Sequence, residues 1–303
     1  MTLSSMTSPE SLAYLQEARS TPAYGAVGNE FDLEGLRQGM AARQAPADDN
    51  VRCVRLQVDG MPCEWIVAPG ADPGRRLLYL HGGGFVSGSG DHYSALAARI
   101  SATAQCAVLL LDYRLAPEHP FPAAIEDCVR VHQWLLGSGP DGPAAAGATF
   151  IAGDSAGGGL VLATMLALRD RGQPLPAAGI ALSAFADLTL TSDSIQSEAE
   201  NDPIMSPGCL PVFVDLYLAQ ADPRTPLASP VFADYSGLPP LLIQVGEFEV
   251  IRDDSVRVAD QARAAGVEVQ LEVWPEMVHV FQVRELPESE QAIAHIATFI
   301  NDR

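Results

Sequence analysis

The segment 149–159, TFIAGDSAGGG, constrains this chain more than any other. A short apolar run breaks into Gly153-Asp154-Ser155-Ala156-Gly157 and then into an Ala/Leu-rich helical stretch. A G-x-S-x-G turn between strand and helix holds a serine hydroxyl clear of its own backbone, where a base can reach it. Glycine at both ends suits a turn too tight for flanking side chains. Ala156 opens the helix, so its amide points where the Ser155 oxygen points, at the partly positive helix N-terminus. A glycine-rich turn without chemistry is the alternative, and the rest of the chain decides between them.

The surrounding pattern is alternating α/β. Val51 begins two strand-like runs, VRCVRLQV and CEWIVAP, split by the hairpin signal Asp59-Gly60. Further strands are expected at 76–80, 106–112, 149–152, 178–182, 241–245 and 268–274. Each is short and mostly continuous in apolar residues, as in a parallel sheet covered on both faces. Helices are expected at 93–103, 123–136, 160–171 and 255–265, which makes about eight strands, the first pair antiparallel and the rest joined by helices. Residues 1–45 look helical, with a start signal at Ser8-Pro9-Glu10-Ser11. Residues 187–236 hold no strong strand and a helical core near 210–218. The division is therefore N-terminal cap helices over 1–45, core over 46–186 and 237–303, and a cap insertion over 187–236.

Composition removes several chemistries. All 18 basic residues are arginine; with no lysine, Schiff-base, P-loop and S-x-x-K chemistry are excluded. The 38 acidic residues give a net charge of −20, which argues against nucleic acid and anionic membranes as partners. Five widely spaced cysteines lack a C-x-x-C pair, so neither a metal nor another cofactor is expected. With no apolar run long enough to span a bilayer, a cytoplasmic setting is expected.

Reactive groups in an open α/β sheet belong at the carboxyl ends of strands. The strand LLYL runs into His81-Gly82-Gly83-Gly84-Phe85, TFIA into Ser155, and the last strand into Val278-His279-Val280. His279 is the expected general base, since imidazole titrates near neutrality. His92, His119, His132 and His295 lie in helices or polar loops and read as structural. A carboxylate must orient the base, and Glu247, Glu249, Asp253 and Asp254 share one loop; Glu249 is favoured and Asp253 is next, the others being helix caps. Consecutive glycines let amides approach an oxyanion, so Gly83, Gly84 and Ala156 form the expected oxyanion hole. Phosphate binding is disfavoured, because no G-x-G-x-x-G opens a helix.

HGGGFVSGS at 81–89, DYRLAPEHPFPAA at 112–124, GDSAGG at 153–158 and MVHVF at 277–281 resemble the hormone-sensitive-lipase-like carboxylesterases, the bacterial family IV branch of the α/β-hydrolases. The resemblance covers roughly residues 51–303. It implies an α/β-hydrolase fold with a helical cap, Ser155 as nucleophile, His279 as base, and Gly83, Gly84 and Ala156 as oxyanion hole. The family usually carries aspartate where GEFEVIRD places Glu249, so this chain departs from the pattern there. Arg114 and Glu118 are expected to pair and to fix the loop beside the site.

Phe85, Phe185, Met205, Phe213, Tyr217, Phe248, Val280 and Phe281 are expected around Ser155. Such an apolar pocket suits a small-molecule partner, a short-chain or aromatic ester hydrolysed through an acyl-enzyme. The alternatives are a lactonase or amidase with the same triad, or a non-catalytic ligand receptor on the same scaffold, against which His279 argues. A homodimer is one arrangement compatible with this reading.

Overall fold

Eight strands build one twisted sheet in the computed structural model, which describes residues 7–20, 31–42 and 46–303. In chain order these are β1 (Arg52–Val58), β2 (Met61–Val67), β3 (Asp72–Leu80), β4 (Cys106–Leu111), β5 (Ala148–Asp154), β6 (Ala178–Leu182), β7 (Leu241–Phe248) and β8 (Val269–Val278). They lie side by side as β1-β2-β4-β3-β5-β6-β7-β8. β2 runs antiparallel to both β1 and β4, and every other pairing is parallel. One detail departs from the sequence expectation: β3 follows β2 without a helix, because residues 68–71 only turn the chain so that β3 can pair beyond β4.

Residues of the inner strands alternate between two apolar layers, so a strand such as β4, CAVLLL, reads as an unbroken apolar run, whereas the edge strands β1 and β8 carry polar residues. Leu77, Tyr79, Val108, Leu110 and Phe150 pack with helix α3 (Ser94–Ala104) and the C-terminal helix α8 (Pro287–Asn301). Leu78, Leu80, Leu109, Leu111 and Ile151 pack on the opposite face with α4 (Ala123–Leu135), α5 (Ala156–Asp170) and α7 (Arg252–Ala264). Helix α5 is buried from Ala156 to Leu168, which explains an apolar character all round rather than a stripe.

Two further parts sit beside this core. Helix α1 (Pro9–Arg19) starts as its sequence predicts: Ser8 caps it by accepting from the Ser11 amide, and Pro9 occupies the first turn. Helix α2 (Leu33–Ala41) is capped by Asp32, and Arg37 ties it to the core by donating to the Val86 and Ala116 carbonyls. The stretch 187–236 holds one longer helix, α6 (Leu210–Leu218), among short turns. The expected 1–45 segment includes residues 1–6, 21–30 and 43–45, which lie outside the described residues. No helix among the described residues is long and apolar enough to cross a membrane.

Candidate active site

Ser155 sits at the bend between β5 and α5 with φ +53° and ψ −120°, a strained conformation for a residue with a side chain. Such a conformation costs about 1–3 kcal/mol and persists only where its surroundings impose it. Here the Ser155 amide donates to Leu182, while its carbonyl accepts from Gly159 and Phe185. Space forces the neighbouring glycine: a Cβ at Gly157 would lie 2.0 Å from the Leu80 carbonyl oxygen.

This bend aims the Ser155 hydroxyl at the turn after β8. Oγ lies 3.0 Å from His279 Nε2, and His279 Nδ1 lies 2.9 Å from Glu249 Oε2. Glu249 is fully buried at the end of β7, and its other oxygen accepts from the Ser183 hydroxyl at 2.7 Å and from the Gly246 amide. Ser183 Oγ in turn accepts from the Val280 amide at 3.1 Å, so one hydroxyl braces both Glu249 and the turn that carries His279. Burial alone would lower the His279 pKa; the Glu249 hydrogen bond and charge, with Asp202 and Asp154 behind them, outweigh burial and raise it above 6.5.

The opposite wall is the turn after β3. Gly83 has φ +122°, and a Cβ there would lie 2.1 Å from the Ser87 carbonyl oxygen, so only glycine fits. Gly83, Gly84 and Ser155 line a common cavity of about 120 Å³ with Tyr14, Phe185, Ile204, Met205, Phe213, Val280, Val283 and Arg284. Asp154 lies at its floor with every oxygen engaged: Oδ1 accepts from Tyr79 and the Gly82 amide, Oδ2 from Tyr93. Burial pushes this carboxyl up to about 6 against those donors.

The geometry matches known proteins along most of its length. The family model described as alpha/beta hydrolase fold matches residues 77–283. An acetyl-hydrolase from Streptomyces hygroscopicus is 44% identical over 239 residues, 78% of each chain. A solved esterase/lipase from an uncultured bacterium superposes with a TM-score of 0.90 at 43% identity, covering 97% of this chain and 98% of that one. A solved esterase from the bacterial hormone-sensitive lipase (HSL) family superposes with a TM-score of 0.88 at 42% identity, covering 98% and 99%. The chain belongs to the hormone-sensitive-lipase-like branch of the α/β-hydrolases.

Within this hydrolase the structure places the remaining residues singled out by sequence. Phe185, Met205, Phe213 and Val280 line the cavity. Phe85 and Tyr217 do not: their rings stack on each other at 3.9 Å and 11°, which turns both into the core behind the wall. Phe248 and Phe281 are also displaced from the cavity, because they pack with Leu15, Trp274 and Met277 beneath α1.

The expected Arg114–Glu118 pair is not formed. Helix α4 brings the buried Asp127 to Arg114 at 2.7 Å, and the exposed Glu118 instead meets Arg37 of α2 at 2.7 Å. Asp253 points away from His279, accepting from the Ser194 amide at 3.0 Å. Asp254 is buried and receives the amides of Ala186 and Asp187, so it fastens the stretch after β6 to α7. Among the described residues no cluster of His, Cys, Asp and Glu could hold a metal ion.

Sequence reasoning passed over Ser183, Asp202, Tyr14 and Arg284. Ser183 directly follows β6, a strand-end position that could have been weighed with the others. Asp202 accepts from the Ile204 and Met205 amides at 2.9 Å and from the Val250 amide at 3.0 Å, which links the 187–236 stretch to the residue after Glu249. Nothing in local pattern marks that link.

Proposed function

We propose that this carboxylic ester hydrolase works through an acyl-enzyme on Ser155. The observation that carries the proposal is the relay of Ser155 Oγ, His279 and Glu249 at 3.0 and 2.9 Å. His279 Nε2 takes the Ser155 proton as Oγ attacks the ester carbonyl, and Glu249 holds the Nδ1 proton and balances the imidazolium. The oxyanion lies toward the amides of Gly83, Gly84 and Ala156; the last opens α5, where the amide has no intrahelical acceptor. His279 then protonates the departing alkoxide, and water repeats the sequence to free the acid.

The acyl or alcohol portion accepted is small. A cavity of about 120 Å³ falls well below the ~300 Å³ and upward of drug-sized sites, and its walls are mainly Phe185, Met205, Phe213 and Val280. Short-chain or compact aromatic esters fit these dimensions. Helix α1 with residues 187–236 acts as the cap that sets this size, since Tyr14 comes from the first and Ile204, Met205 and Phe213 from the second.

Hydrolysis of p-nitrophenyl acetate and butyrate by the wild type and Ser155→Ala tests the mechanism. The variant should lose on the order of 10⁵-fold or more in kcat with unchanged circular dichroism. Retained turnover would overturn the assignment.

A further inference from the structure

Arg284 stands at the mouth of the Ser155 cavity, five residues beyond the base in the chain. Its backbone is fixed by the turn that follows His279, with the Arg284 amide donating to the Phe281 carbonyl at 3.0 Å. The side chain is steered by Tyr14 of α1: Nε donates to the Tyr14 hydroxyl at 3.1 Å, and the guanidinium carbon lies 5.2 Å from the ring centroid. Both contacts use the Nε side and the flat face of the group. Both are made to Tyr14, and among the described residues the outer Nη edge, which binds carboxylates in bidentate fashion, forms no ion pair. Arg37, Arg99, Arg114, Arg252 and Arg257 each meet a carboxylate at 2.5–3.0 Å; among the described arginines that do not, Arg284 is the one that lines the Ser155 cavity.

The cavity therefore has polarity along its length. Its floor carries Asp154, whose oxygens are already taken, and its middle is apolar. Its mouth carries a positive group pre-positioned by an aromatic ring. A neutral ester makes no use of that mouth.

We infer that Arg284 selects esters that carry a second, ionised carboxylate, such as half-esters of short dicarboxylic acids. The ester carbonyl lies at Ser155 while the free carboxylate meets the Nη edge of Arg284. The inference rests on the acyl-enzyme reading of Ser155 and adds the substrate class. Arg284 contributes to binding of the substrate's far end rather than to the reacting atoms.

The test compares monomethyl adipate with uncharged methyl hexanoate on the full chain. Arg284→Gln should lower kcat/KM for the half-ester about tenfold more than for methyl hexanoate, chiefly through KM. Arg284→Lys keeps the charge without the bidentate edge, so it should retain part of the half-ester preference. Equal losses on both esters would assign Arg284 a packing role and overturn the inference. So would an unchanged half-ester rate, or a wild type that cleaves methyl hexanoate and leaves monomethyl adipate intact. If Arg284→Gln does not fold, Arg284→Lys decides on the same criterion of selective against equal loss. Failure of the underlying reading is separable, because it appears as methyl hexanoate turnover that survives Ser155→Ala.

Discussion

His279 faces three carboxylates, Glu249 in contact and Asp202 and Asp154 behind it, and together they overcome burial to raise its pKa. On the proposed mechanism the imidazole must be neutral to accept the Ser155 proton, so kcat/KM should fall as pH drops through a value above 6.5. Asp202→Asn removes one of those charges and should move this acid limb to lower pH. A pH–rate profile checks it; an unmoved limb with only a poorer KM would reduce Asp202 to a brace for Met205 and Val250. The neighbouring acids are separable in the same way. Glu249→Ala should cost on the order of 10⁴ in kcat, whereas Asp253→Ala, whose carboxylate faces Ser194, should stay within a few-fold. The reverse order would reassign the acid.

At the level of elements, α1 is attached to α8 by one carboxylate. Glu288 accepts from the Ser8 amide, the Ser8 hydroxyl and the Ser11 hydroxyl, at 2.6, 2.8 and 2.5 Å. Burial would raise its pKa, but the hydrogen bonds from Ser11 and Ser8 outweigh that and lower it below 4.5. A depressed carboxyl pKa contributes stability above the ordinary value and loses it as pH falls through the lowered one. Glu288→Ala should therefore loosen α1 at neutral pH, as acid does in the wild type, with faster proteolysis near Arg19 and a higher KM because Tyr14 leaves the cavity. An unchanged digestion pattern would show that apolar packing alone holds α1.

Elements of this kind were legible in sequence to different degrees. The sheet was readable because strands covered on both faces are unbroken apolar runs, and Ser8-Pro9 announced α1 by capping chemistry. Ser155 and His279 stood out because each directly follows a strand. Contacts across the chain left no local mark: Asp127 displaces Glu118 as the partner of Arg114, and Asp202 reaches Val250 from a stretch without periodicity. The aromatic residues failed for a related reason, since Phe85 and Phe213 read alike until stacking turns one inward and leaves the other at the cavity.

Over the whole molecule the net charge of −20 opposes compactness through self-repulsion. Raising NaCl from about 0.01 M, where the screening length is ~30 Å, toward about 1 M, where it is ~3 Å, should relieve it. Surface ion pairs such as Arg52–Asp141 weaken at the same time, but exposed pairs are worth at most about 1 kcal/mol each. Tm should therefore rise by about 2–4 °C, and a fall would mean that the ion pairs outweigh the excess charge. The relay itself joins parts made at different times, since Ser155 and His279 are 124 residues apart and the base lies beyond the final strand. On the proposed mechanism a growing polypeptide on the ribosome thus carries its alcohol long before the His279 imidazole exists to arouse it. Newly made molecules should, on that mechanism, stay inert toward esters until the segment beyond the final strand has emerged and docked.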